Sequence, residues 1–266
     1  SWNITRLAKE WYENPSSNYG VMLKASNEDC SDVNTAYAIY CMPNHPDALS
    51  NAYPSLAVQY LNNLGVEEYW TYHAGSVGPN VSYSINDYTG NLLAFSDDIS
   101  IPGNRMPYTI RHVYNSAEAG KNIGFGYGWR LNICQTVTDL EHSTAADKAL
   151  WDNGFSYRYV DEDGTELYFK KDDGKDETGK GLTISKSGSE CVITDKKDNK
   201  LTFNSNGWLT KLTDVNGNVL QIAHNSAGQP TAVTTATGQK ITLNYTSVGG
   251  WLADIQASAY SQSVRY

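Results

Sequence analysis

The chain has 266 residues, 40% of them hydrophobic and 18% charged, and 20 Lys and Arg against 29 Asp and Glu leave a net charge of −9. That composition supports one or two domains with real cores and excludes a solvated, disordered chain. The acidic balance argues against sequence-independent nucleic-acid binding, which needs cations for the phosphates, and no apolar run reaches the ~18 residues of a membrane-spanning helix.

At the start, Ile4, Leu7, Ala8 and Trp11 follow the spacing of one helical face, with Thr5 or Asn3 as cap, and Pro15 ends the helix at Asn14. Short β-rich runs follow at 19–23, 36–40 and 55–60, separated by Asn, Asp, Pro and Ser clusters. Three strands and one helix leave too many open edges for a complete sandwich, so residues 1–61 read as the second half of one. With no stop signal at 261–266 either, the whole reads as a piece of a longer polypeptide whose open strand edges invite self-association. Cys30 and Cys41 lie in adjacent strand-like segments and either pair or stay free, as Cys134 and Cys191 do.

Residues 62–75 read as a linker. Its aromatics, Tyr69, Trp70 and Tyr72, either stack on a sugar or fill a junction between domains. Residues 76–150 are aromatic-rich. Asp87–Asn91 is a turn between strands at 81–85 and 92–95, and a short helix at 143–150 has Ser143 or Thr144 as cap. Gly124-Phe125-Gly126-Tyr127-Gly128-Trp129 alternates glycine with aromatics; as a strand it puts the three rings on one face.

Residues 151–266 carry the strongest internal signal. Gly207, Gly217, Gly228, Gly238 and Gly249 follow at steps of 10 or 11, a period of 21 for two strands and two turns. Asp198-Asn199 stands where another glycine is expected. Asn or Asp precedes several of these glycines by three positions, as in Asp214-Val215-Asn216-Gly217, and apolar residues alternate between turns, as in Ile241, Leu243 and Tyr245. Period-two patterning with a turn every ten residues is a long antiparallel meander.

Catalytic and metal motifs are absent from the sequence pattern. The five histidines (45, 73, 112, 142, 224) are scattered, and no zinc-protease, nucleophile-elbow or P-loop spacing occurs, so neither an enzyme nor a cofactor is expected. Twelve of the acidic residues fall between 139 and 177. Within that stretch Asp172, Asp173, Asp176 and Glu177 form either a calcium site or a solvated loop.

The order of motifs from Asn86-Asp87-Tyr88-Thr89-Gly90-Asn91, through Tyr114-Asn115 and Gly126-Tyr127-Gly128-Trp129, to Tyr157–Phe169 and the 21-residue turns resembles bacterial Rhs/YD-repeat proteins of the wall-associated toxin type. Ile4-Thr5, Trp11, Asn18-Tyr19-Gly20 and the run 54–60 resemble the C-terminal part of a DNRLRE domain, a carbohydrate-binding-module-like sandwich. The resemblance implies an all-β protein: a partial jelly-roll-like sandwich (1–61), a linker (62–75), the opening segment of an Rhs shell (76–150) and a YD-repeat meander (151–266). It further implies a non-catalytic part of a secreted or cell-wall-associated protein whose shell encloses a C-terminal toxin. The partner is then the remainder of that polypeptide. The alternative is a module that attaches its parent to polysaccharide.

Overall fold

The computed structural model describes residues 7, 10, 11, 14–20, 65–102 and 105–266. The chain divides into two units, Ser1–Val58 and Gln59–Tyr266. In the first, Leu7, Glu10 and Trp11 are helical, in register with the expected apolar face, and Pro15–Ser17 forms one 3₁₀ turn. The three expected strands of the half-sandwich, and Cys30 and Cys41, lie outside the described residues.

The second unit is all-β, apart from one α-helix and short 3₁₀ turns. A five-stranded sheet runs β1 (Tyr72–Val77), β2 (Val81–Asn86), β3 (Leu92–Ile101), β4 (Tyr108–Asn115) and β5 (Trp129–Leu131). A three-stranded sheet follows: β6 (Thr136–Asp139), β7 (Phe155–Val160) and β8 (Glu166–Lys170), with helix α1 (Ala145–Asp152) inserted after β6. The rest is a nine-stranded sheet: β9 (Thr183–Ser187), β10 (Glu190–Thr194), β11 (Lys200–Phe203), β12 (Leu209–Thr213), β13 (Val219–His224), β14 (Pro230–Thr234), β15 (Lys240–Tyr245), β16 (Leu252–Ala257) and β17 (Gln262–Arg265). In all three sheets each strand pairs with its chain neighbour, always antiparallel.

One five-residue turn recurs along the nine-stranded sheet. Its first residue is Asp195, Asn204, Asp214, Asn225 or Thr235, whose carbonyl accepts from the amide three residues on, at 2.9–3.1 Å. The side chain of the same residue accepts from the amide four residues on, as in Asn218 N to Asp214 Oδ1 at 2.8 Å. The fourth residue has a positive φ, which glycine adopts without a Cβ clash. Gly207, Gly217, Gly228 and Gly238 fill that position, and Asp198 fills it with φ 63° where the glycine spacing breaks.

The second repeated device is a bulge. The ladder shifts register at Thr202/Phe203, Ala223/His224 and Asn244/Tyr245, three places 21 residues apart. Pro230 sits opposite the middle one, where its missing amide costs no ladder hydrogen bond. A bulge bends its strand and increases the local twist, so one bulge per strand pair curls the sheet steadily in one sense.

The curl closes over a single core. Ile193, Phe203, Leu209, Leu220, Ile222, Val233, Ile241, Leu243 and Ile255 from the long sheet form one cluster with Ile99, Ile101 and Ile110 from the first sheet and with Tyr159, Leu167 and Phe169 from the third. A satellite cluster of Leu140, Leu150 and Tyr168 lies under α1. Thr144 caps that helix in a capping box with Asp147, one of the two expected caps.

Three expectations change. Residues 62–75 are not all linker, because β1 begins at Tyr72. The division at 150/151 falls inside α1, and the segments on its two sides share one core. Gly124–Gly128 is not a strand: its three glycines have φ of 103°, 107° and 77°, and only Trp129 enters β5. The rings separate accordingly. Phe125 packs on the core, while Tyr127 is 66% exposed. The glycines serve left-handed backbone, and a Cβ on Gly128 would lie 2.7 Å from the Tyr114 ring.

Candidate functional site

The aromatics at the start of the second unit separate into two roles. Tyr72 is structural: its hydroxyl accepts from the Glu67 amide at 2.8 Å and donates to the Gly65 carbonyl at 2.9 Å. Burial pushes its phenol up, against the opposing effect of the Glu67 amide. Tyr69 and Trp70 instead form a surface row with Tyr88, ring centroids 5.6 and 5.4 Å apart. Tyr88 is carried by the β2–β3 turn, where Asn86 Oδ1 accepts from the Tyr88 and Thr89 amides at 2.9 Å. The structure thus brings two of the three expected aromatics together and replaces the third by Tyr88.

Residues 65–67 are threaded into a buried polar junction. The Val66 amide donates to Asp163 Oδ2 at 2.9 Å, and a Cβ on Gly65 would lie 1.7 Å from Thr165 Oγ1. The β7–β8 turn here uses the meander's own device: Asp161 Oδ1 accepts from the Asp163 and Thr165 amides at 3.1 and 3.0 Å. Burial, and then the neighbouring Asp163 carboxylate, push the Asp161 carboxyl well above its ordinary range. Lys180 Nζ stands 2.9 Å from Glu67 Oε1 as an ion pair. Burial works against the charge on Lys180, yet Glu67 and the Asp161–Asp163 pair hold it more firmly protonated than usual. Glu118 pairs with Arg130 beneath the same turn.

The acidic loop at 172–177, read as either a calcium site or a solvated loop, is organised by protein donors. Asp176 is buried, and its carboxylate accepts from Thr178 Oγ1 at 2.8 Å and from the amides of Lys180, Gly181 and Leu182 at 2.8–2.9 Å. Burial opposes the charge, but these donors hold the Asp176 carboxyl below its ordinary range. Asp173 is paired with Lys175 at 3.1 Å, Asp172 is exposed, and Glu177 is half-buried with its amide donating to the Tyr168 carbonyl at 3.0 Å. The four side chains do not form a ligand group within metal-binding reach of one another.

A fourth arrangement had no local signal in the sequence. Asp98 on β3 accepts from Tyr266 Oη at 2.7 Å and pairs with buried His112 Nδ1 on β4. The His112 ring lies 4.5 Å from the Tyr266 ring and edge-on to Phe125 and Trp129 at 6.2 Å. Gln262 Oε1 of β17 accepts from the Ser100 amide of β3 at 3.2 Å. The last strand of the long sheet is therefore fastened to β3 by side chains, and the role of His112 here is to fix a seam.

Comparison with known proteins agrees with this architecture. Over 172 residues, 63% of this chain, the sequence is 32% identical to the tRNA nuclease WapA of Bacillus subtilis (strain 168) and to the tRNA(Glu)-specific nuclease WapA of Bacillus subtilis subsp. natto. The same identity and share of this chain hold for the tRNA3(Ser)-specific nuclease WapA of Bacillus spizizenii. The matched region is only 6–7% of the length of these relatives. Residues 82–169, from β2 to β8, match a domain of unknown function, DUF6531, and residues 203–240, from the first bulge to the start of β15, match the RHS repeat.

Proposed function

We propose that the chain is a non-catalytic structural segment of a longer, secreted or wall-associated Rhs/YD-repeat protein, forming part of a β-shell that encloses a C-terminal toxin domain. The observation that carries this reading is the nine-stranded meander with its turn and 21-residue bulge repeated in step. Such a sheet lengthens by adding identical strand pairs, and each added pair continues the curl. At this end the inner face is filled by the chain's own side chains, so the segment serves as the solid base of a larger enclosure. Its buried acids are held by backbone amides and ion pairs, which suits scaffolding.

Incubation of the purified chain with tRNA tests the non-catalytic part, since the similar proteins are named as nucleases. No cleavage above buffer is expected. Cleavage that disappears in His112→Ala would contradict the proposal.

The row of Tyr69, Trp70 and Tyr88 favours polysaccharide attachment as a second reading, because Tyr69 and Tyr88 expose their rings on either side of half-buried Trp70, and exposed rings suit sugar faces. Calorimetry with cell-wall polysaccharide decides: binding lost in Tyr88→Ala supports it, and absence of heat rejects it.

A further inference from the structure

We infer that Asp139, Glu141 and His142 form a surface site for one divalent metal ion of the zinc type. The three ligand atoms all lie within 4.8 Å of one another, and they are the single such group among the described residues. His142 Nδ1 is 3.5 Å from Asp139 Oδ2 and 3.9 Å from Glu141 Oε2. Zinc bonds to nitrogen and oxygen are about 2.1 Å long, which puts tetrahedral ligands about 3.4 Å apart. The group therefore needs only a small inward rotation of the exposed Glu141 side chain to close on an ion, with water in the fourth position.

The backbone here is held in place. The Glu141 amide donates to Asp139 Oδ1 at 3.1 Å, which fixes that carboxylate and turns Oδ2 toward His142. Leu140, between the ligands, is fully buried under α1 and anchors the turn, and the Thr144 capping box begins two residues after His142. Lys186 Nζ of β9 stands 3.9 Å from Asp139 Oδ2 and competes with an ion for that carboxylate. An imidazole with two carboxylates selects a borderline ion such as zinc over calcium or magnesium, which prefer all-oxygen shells. At 139–142 a histidine joins the acids, which it does not in the loop at 172–177.

Titration of the full chain with zinc chloride by calorimetry at pH 7.5 tests the site. One saturable site is expected, untouched by millimolar magnesium. His142 is 74% exposed, so His142→Ala keeps the fold, which circular dichroism verifies, and it should weaken zinc at least tenfold. Lys186→Gln removes the competing charge and should tighten zinc several-fold. No saturable binding, or binding unchanged in His142→Ala, overturns the inference. Loss in His142→Ala with no change in Lys186→Gln takes the ion off Asp139 and overturns the three-ligand set.

Discussion

At the scale of the residue, the repeated turn makes each fourth position a test of backbone strain. Asp198 holds a φ of 63° that glycine adopts freely. Asp198→Gly relieves that strain and loses part of the gain to the freer unfolded chain, so thermal unfolding should show a net stabilisation of about 0.5 kcal/mol. Gly217 and Gly207 share the conformation, with φ of 78° and 77°, but not the surroundings. A Cβ on Gly217 meets open space, whereas one on Gly207 would lie 2.0 Å from the Val137 carbonyl oxygen. Denaturant unfolding should therefore cost Gly217→Ala about 1 kcal/mol and Gly207→Ala about 3 kcal/mol. Equal costs would show that the turn at 204–208 does not dock on β6.

Asp176 and Asp161 have opposite linkage. Asp176 has its carboxyl lowered, so its stabilisation is present above the unfolded value near 4 and is lost as pH falls through the folded one. Asp161 has its carboxyl raised, so its contribution is present at acid pH and is lost as pH rises through the folded value. Asp161→Asn keeps an amide oxygen for the two turn amides and removes the charge. It should raise the melting temperature at pH 7 and leave it nearly unchanged below pH 4. A lower melting temperature at pH 7 would mean that the attraction of Lys180 outweighs burial and the Asp163 repulsion.

At the scale of the element, the meander was legible because its two determinants are local. The Asx acceptor and the left-handed residue lie within one five-residue turn, so their spacing survives in the one-dimensional sequence, even at Asp198. The hairpin at 81–95 and the Thr144 cap were legible for the same reason. Other features depend on distant partners. Gly124–Gly128 has the alternation of a strand, yet its three glycines take positive φ, and Gly128 lies against the Tyr114 ring. The Asp176 loop is held largely by backbone amides, which no residue type announces. Tyr88 meets Trp70 only through strand pairing, and Tyr266 meets His112 only where the end of the long sheet lies against the first sheet. Asp176→Ala removes four accepted hydrogen bonds from a buried carboxylate and should cost about 3 kcal/mol, measured by urea unfolding. It should also abolish the acid sensitivity assigned to Asp176.

At the scale of the whole molecule, the second unit departs from an ordinary repeat array. In a linear array each repeat touches only its neighbours, and stability is a sum of local terms. Here the inward residues of the long sheet pack with those of the other two sheets, and side chains fasten β17 to β3. The meander therefore should not unravel from its end one strand pair at a time. Ile110, fully buried on β4, tests this coupling. Ile110→Ala should cost about 3 kcal/mol and lower amide protection in β13–β15 by the same amount as in β4. Among the described residues the outer edge of β1 has no strand partner, and association should begin there. Scattering at rising concentration should show oligomers, and a monomer at every concentration would mean that this edge is protected.

The claim that the second unit, Gln59–Tyr266, is one solid structural body is tested most directly by native-state hydrogen exchange on the full chain across a denaturant series. The account predicts that the slowest amides of β4, β8 and β11–β15 merge into a single class with one opening free energy, with an edge strand such as β1 opening earlier. A meander that opens at a lower free energy than β4 and β8, strand pair by strand pair, would contradict it.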